Sequence, residues 1–328
     1  MILVTGGAGF LGSNLIAGLE ARGARDIVVC DRLGQDEKWR NLAGRELADL
    51  IRPEELLSFL ERFENDVEAV FHLGAISATT ESDVDLLVRE NVRPTLDLWD
   101  WCARRGRRLV YASSAATYGD GRQGFDDDPA PEALARLAPL NPYAWSKHVA
   151  DRRIARLVAR GAVRPPQWAG LKFFNVYGPN EYHKGPMRSV VLQIFEQVAA
   201  GGPARLFRSH HPDFPDGGQL RDFVWVEDCV TVMLWLLDNP QVSGLFNVGT
   251  GRARSFADLA RAVFAALDRP AEIAFVDMPA EIRDKYQYFT EARIDRLRAA
   301  GYSRPFTGLE DGVRRYVREF LAAGNPYR

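Results

Sequence analysis

The sequence predicts an α/β fold, a Rossmann-type doubly wound parallel sheet followed by a smaller mixed α/β C-terminal substrate domain. Three observations carry that expectation. Short apolar runs alternate with longer segments of helical period, a glycine triplet stands at the first strand-to-helix junction, and the alternation breaks down after Gly178.

Taken in order, "MILVT" reads as a strand followed by a helix over 10–22. "DIVVCD" pairs with a helix over 53–63, "EAVFHLG" with 82–105, and "RLVYASS" with 142–160. Strands apolar at every position need cover on both faces, which a parallel sheet with crossover helices provides. "GLKFFNVYG" closes the series. Beyond it come Gly/Pro-rich loops over 201–219, a strand at 222–226, a helix at 227–238, "GLFNVGTG", and a C-terminal third of mixed short elements. The division expected is a larger sheet-bearing part (1–174 plus 221–250) and a smaller part for the substrate (175–220 plus 251–328).

Composition narrows the partner. Forty-two Lys and Arg against 44 Asp and Glu leave no basic excess, so the footprint of a nucleic-acid or anionic-membrane binder is missing and a small molecule is expected. Cys30, Cys102 and Cys229 are odd in number and sit in apolar surroundings. They read as buried thiols of a reducing cytosol, and no metal is implied. No apolar stretch approaches the roughly 20 residues that span a bilayer, so a cytoplasmic location is expected.

In "TGGAGFLGS", Gly6, Gly9 and Gly12 let the chain turn tightly and let a pyrophosphate approach the amides opening the first helix. Asp31 ends the second strand, placed for a carboxylate reaching an adenosine ribose. That favours NAD. Arg32 follows, however, and Lys38 lies in the next loop, so a 2′-phosphate has cations available unless both are solvated loop residues. Charge alone leaves the choice between NAD and NADP open.

Tyr143 and Lys147 in "LNPYAWSKHVAD" are four apart and share one helix face. An ammonium beside a phenol favours the phenolate, and Ser114 at the end of "RLVYASS" can hydrogen-bond the same substrate hydroxyl. Such pairs also arise by chance on exposed helices. The glycine turn and the strand-terminal serine make proton transfer the favoured reading.

With these residues in place, the sequence resembles the extended short-chain dehydrogenase/reductases that act on nucleotide-linked sugars. "TGGAGFLGSN", "FHLGA", "ASSAATYG", "YAWSK", "FFNVYGP", "RDFVWVEDC" and "FNVGTG" carry the likeness over residues 1–251. Within that group it looks most like the ADP-glycero-manno-heptose 6-epimerases, through "GAISATTE", "YASSAATYGD", "NEYHKGPM", "KYQYFTEA" and "LRAAGYSRPF". The resemblance implies an NADP-preferring cytosolic isomerase that acts on an ADP-heptose of lipopolysaccharide precursor synthesis and forms homo-oligomers, typically pentamers. It makes Tyr143 and Lys184 the two acid/base residues, with Ser114 and Lys147 beside them. Gly6, Gly9, Phe10, Leu11, Gly12, Asp31, Arg32, Lys38, the run Leu73, Gly74, Ala75, Ile76 and Ser77, then Asn91, Lys147, Val176 and His183 would hold the cofactor. Ser114, Asn175, Lys184, Pro186, Gln193, Phe207, Arg208, Ser209, Arg221 and Tyr286 would line the sugar-nucleotide side, with His183 near both. Pro186 stands where a serine is usual, Gln193 where a histidine is usual, and "HHPDFPDGGQ" lengthens the loop before Arg221.

Stereochemistry explains a second lysine. Inverting a carbon through a ketone against a nicotinamide fixed on one side requires the intermediate to turn, and carbon 6 of a heptose is exocyclic and can rotate. Its oxygen then leaves the first base, because proton transfer needs contact at about 3 Å. Lys184 would serve one epimer and Tyr143 the other; the plain alternative for Lys184 is a solvated or phosphate-binding loop cation. For Arg221, a fork on the diphosphate competes with a surface ion pair to Asp222. A 4,6-dehydratase is disfavoured by Ala115 and Ala116, where it would need an acid and a base. A hexose 4-epimerase and a non-catalytic NADP-binding sensor remain as alternatives.

Overall fold

In the computed structural model, which describes residues 1–279, 283 and 286–328, alternate residues of the central strands go to opposite faces and both faces are buried. Val4, Val29, Phe71, Val110 and Leu171 pack against Leu15, Ile16 and Leu19 on one side and Val230 and Met233 beside them. Their neighbours Leu3, Val28, Val70 and Leu109 pack against Leu98, Trp99, Cys102 and Ile154 on the other. A strand with no wet face reads as an unbroken apolar run.

The strands are β1 (Ile2–Thr5), β2 (Ile27–Cys30), β3 (Asp49–Ile51), β4 (Ala69–His72), β5 (Arg108–Ser114), β6 (Trp168–Phe173), β7 (Asn175–Tyr177), β8 (Ala204–Phe207), β9 (Leu220–Arg221), β10 (Phe223–Trp225), β11 (Gly244–Val248), β12 (Arg254–Ser255) and β13 (Ile273–Val276). Seven form the central sheet in the order β11-β6-β5-β4-β1-β2-β3, every neighbouring pair parallel. The order reverses between β1 and β4, which opens a crevice beyond their C-terminal ends. Helices α1 (Phe10–Ala21), α2 (Leu56–Arg62), α3 (Val84–Leu87), α4 (Arg93–Arg105), α5 (Pro131–Ala135), α6 (Pro142–Ala159), α7 (Val190–Ala199), α8 (Val226–Asp238) and α9 (Phe256–Ala266) follow, with α1 and α8 packed together on one face of the sheet.

Four details depart from the sequence reading. The helix expected over 82–105 is α3, a π turn (Val88–Val92) and α4, because Pro94 has no amide to give the carbonyl four residues earlier. The segment 53–63 opens as a 3₁₀ turn, Pro53–Glu55, before α2. "GLKFFNVYG" is two strands. At Phe174 the amide turns to Val248 O (3.1 Å), and β7 leaves the sheet to pair with β10. Finally, the stretch 201–219 is not all loop: it contains β8, paired with β13. A second core lies here, where Val191, Leu192 and Ile194 of α7 meet Leu206, Trp225, Leu259, Val263 and Tyr316. Lys285, which opens the "KYQYFTEA" motif, lies outside the described residues.

Candidate active site

The crevice at the sheet's switch point is shaped by two glycines. Gly6 holds φ 67°, and a Cβ there would stand 2.5 Å from the Gly74 nitrogen. Likewise a Cβ on Gly12 would lie 2.1 Å from Gly6 O, so α1 packs on the turn only without a side chain. No side chain caps α1, which leaves its first amides for an anion. Asp31 anchors the turn: its Oδ2 accepts from Ala8 N (2.8 Å), and its Oδ1 accepts from Arg32 N and Lys38 Nζ (2.7 Å each). The Arg32 guanidinium is held between Glu54 (2.6 Å) and Glu90 (2.7 Å).

A cleft of about 340 Å³ runs from this turn to the end of β5, lined by Gly6, Gly9, Phe10, Leu11, Asp31, Lys38, Leu73, Gly74, Ala75, Ser77, Ser114, Tyr143, Lys147, Val176, His183 and Lys184. Arg32 and Ile76 line an adjoining pocket of about 200 Å³. On the other side a wider cleft of about 820 Å³ shares Ser114 and Tyr143 and adds Asn175, Arg221 and Tyr286. Pro186 lines a further recess with Asn175 and Lys184. Amides at one point of a trough, a carboxylate at the end of the second strand and a Tyr/Lys pair at the other end are what a nicotinamide dinucleotide requires, and these residues fit it.

Local sequence fixes the proton-transfer groups. Asn141 caps α6 through Ala144 N (2.8 Å), and Pro142 occupies the first turn, so Tyr143 and Lys147 project together from its start. Lys147 Nζ donates to Ala112 O (2.9 Å) and keeps two further protons for a ligand. Burial pushes its ammonium down to about 8, opposed by the negative charge of Asp151. The Tyr143 ring is partly exposed to the cleft, yet the protein around its oxygen raises the phenol above its ordinary value, and the Ser114 hydroxyl pulls it back. Lys147 therefore meets a carbonyl rather than the phenol.

Lys184 lines the same cleft from a separate element, a 3₁₀ turn (Tyr182–Met187), with Nζ 5.2 Å from the Phe10 ring centroid. Burial lowers its ammonium below the ordinary lysine range, and the charge of Glu181 opposes this. Glu181 itself is fully buried. It accepts from Ser189 N, Ser189 Oγ (2.6 Å) and Tyr316 OH (3.0 Å). His183 is pushed down to about 4 by burial and by the charge of Lys38, so its ring is neutral near pH 7.

Arg221 is buried and stacks between Phe256 (5.6 Å) and Tyr286 (5.2 Å), with Nη1 donating to Leu220 O (2.9 Å). The competing ion pair to Asp222 does not form. Asp222 instead accepts from Thr250 N, Thr250 Oγ1, Gly251 N and Ala292 N.

Several expected residues are not brought to these clefts. Asn91 is wholly buried and clasps the Ile76 backbone and Ser146 Oγ, so it can act only through that loop. Gly12 serves packing. Gln193 donates to Arg188 O (2.8 Å), the exposed Arg208 faces Asp216 and Asp277, and Ser209 bonds within its own loop, with Phe207 beside it on β8. The lengthened loop packs His211 and Phe214 on Tyr288, itself edge-to-face with Tyr286 at the substrate-side rim. Among the described residues no group of three or more His, Cys, Asp or Glu is placed to hold a metal. No described helix is long and apolar enough to cross a membrane.

Residues 2–249 match the family model for the NAD dependent epimerase/dehydratase family. The chain belongs to that family. Over the full length of both chains it is 52% identical to an ADP-L-glycero-D-manno-heptose-6-epimerase of Nitratidesulfovibrio vulgaris (strain DP4). The crystal structure of the Helicobacter pylori ADP-L-glycero-D-manno-heptose-6-epimerase superposes with a TM-score of 0.78 at 28% identity, covering 98% of this chain and 96% of that one. The Thermus thermophilus UDP-glucose 4-epimerase in complex with NAD superposes with a TM-score of 0.73, also at 28% identity, covering 95% of this chain and 96% of that one.

For this member of the epimerase/dehydratase family the sequence missed Glu181, Asn41 and the rim residues Thr79 and Thr80, which line the wider cleft. "GAISATTE" contains the two threonines, but nothing in their spacing marks them.

Proposed function

We propose that this isomerase inverts carbon 6 of an ADP-linked D-glycero-D-manno-heptose, giving the L-glycero epimer through a transient ketone. One observation carries the reading: Tyr143 on α6 and Lys184 on the separate turn Tyr182–Met187 line the same cleft. Gly6, Gly9, Asp31, Lys38 and Lys147 would hold a nicotinamide dinucleotide there, which would supply reversible hydride transfer at the carbon. The chain's own residues move the protons. Tyr143 takes the hydroxyl proton of one epimer with Ser114 orienting the oxygen, and Lys184 returns one after the side chain has turned; the reverse direction exchanges their roles. The likeness to named ADP-heptose 6-epimerases supports the substrate.

Of the cofactors we favour NADP, on the resemblance and on Arg32 and Lys38 at the adenosine end; Arg32→Ala should weaken NADP more than NAD. A homo-oligomer in the cytoplasm, with the cofactor seated by 1–174 plus 221–250 and the sugar nucleotide by 175–220 plus 251–328, completes the proposal. The test is a product assay. Incubated with ADP-D-glycero-D-manno-heptose, the protein should yield the carbon-6 epimer by NMR and leave UDP-glucose unchanged. Turnover of UDP-glucose alone would replace this reading with a 4-epimerase.

A further inference from the structure

The turn that carries Lys184 is irregular, closed within itself by Lys184 N donating to Glu181 O (3.1 Å) and by Arg188 on Gly185 O. Gly185 breaks its helical geometry at φ 53°, and Pro186 has no amide to donate. Glu181 pins its far end through Ser189 and binds Tyr316, and a set of buried asparagines ties its start to the glycine turn and α1. Asn41, 2% exposed, directs Nδ2 at Ala8 O of the glycine turn (2.9 Å) and at Asn180 O (3.0 Å), with His183 Nδ1 3.3 Å away. Asn14 in α1 donates to Phe10 O (2.8 Å) and Pro179 O (2.9 Å). Asn180 keeps a positive φ of 73° although fully buried, and donates to Ser13 Oγ (3.0 Å).

An amide carries two hydrogens, and in Asn41 the shortest contacts send one to each segment. Its planar NH₂ group therefore sets the spacing between the glycine turn and the start of the Lys184 turn. His183 packs beside this group, its Nδ1 3.3 Å from the same nitrogen, whose two hydrogens are already committed. Lys184 Nζ lies above Phe10, the residue that opens α1 from that glycine turn.

We propose that Asn41 is a positioning residue for Lys184, locking the turn that carries the lysine to the frame of the dinucleotide loop. The inference rests on the two-carrier reading above. It makes Asn41 selective, its loss weighing more on the half-reaction that uses Lys184 than on the one that uses Tyr143.

Asn41→Ala should speed amide hydrogen exchange across residues 180–188 about tenfold or more, since two buried hydrogen bonds are lost, while β5 and β6 exchange as in the parent. Asn41→Ser, which keeps one donor, should fall between. In single turnovers at saturating cofactor followed by nicotinamide absorbance, Asn41→Ala should slow the epimer that Lys184→Met also slows at least tenfold more than the other. Unchanged exchange at 180–188, or equal slowing of both epimers by Asn41→Ala, overturns the inference. If Asn41→Ala does not fold, Asn41→Ser is judged by the same two criteria. Should Lys184→Met fail to separate the epimers, the two-carrier reading itself falls and takes this inference with it, an outcome visible in that control alone.

Discussion

Replacing Lys172 by Met should strand a carboxylate beneath the active site. Lys172 and Asp151 are both fully buried and meet at 2.8 Å. Asp151 also accepts from Tyr111 OH (3.1 Å) and Ser113 Oγ (2.7 Å), while Lys172 donates to Thr117 Oγ1 (2.7 Å) and sits 4.9 Å over the Tyr118 ring. Removing one partner of a buried pair costs about 3–5 kcal/mol. The two hydroxyls left on Asp151 put this case at the lower end, about 3 kcal/mol. With an unfolding slope of about 3 kcal/mol per molar urea, the midpoint should drop by about 1 M. Lys172→Met/Asp151→Asn should recover part of the loss, because no unpaired charge remains inside. Asp151 also ties α6 to β5, and α6 carries Tyr143 and Lys147, so kcat should fall in the single variant with KM little changed. A single variant as stable as the parent, or a double variant no more stable than the single, would refute the reasoning.

Two further outcomes follow from the same geometry. Arg221→Ala should raise the KM for the nucleotide sugar about 10- to 100-fold with kcat nearly kept, the loss of one charge-assisted fork; steady-state kinetics check it. Lys147 titrates at about 8 in the fold against an ordinary 10.5, so between those values the unfolded chain binds a proton that the folded chain does not. Stability should therefore rise with pH from about 8 to 10.5, and the penalty should be fully present below pH 8. Urea midpoints across that range for the parent and for Lys147→Met should differ in slope, the variant lacking the rise.

The sheet was legible because its evidence is local. Runs such as "DIVVCD" and "EAVFHLG" carry both buried faces in a few consecutive residues, and Gly6 and Gly12 declare the turn between them. Where the chain's course depends on distant partners, the sequence is silent. The split at Phe174 is decided by Val248 O and by the pairing of Asn175 with Phe223. Gly201, Gly202 and Pro203 mask β8, whose partner β13 lies some seventy residues on. In the site, Tyr143, Lys147 and Ser114 could be read from spacing along one helix and one strand. Asn41 could not, since its acceptors lie 33 and 139 residues away. Asp222 beside Arg221 invited an ion pair, yet its lone pairs are filled by the Thr250–Gly251 turn and Ala292. Asn91, a cofactor residue by resemblance, is a buried clasp for the Ile76 loop that lines the adjoining pocket.

Two proton carriers serving two epimers at one cleft should each be needed for one substrate only. Single-turnover reduction of the bound nicotinamide, measured for Tyr143→Phe and Lys184→Met with each ADP-heptose epimer separately, tests it most directly. Each variant should lose about 10²- to 10⁴-fold with one epimer and keep its rate with the other, in complementary fashion. If both substitutions impair the same epimer, or Lys184→Met impairs neither, a single carrier does the work and the account is wrong.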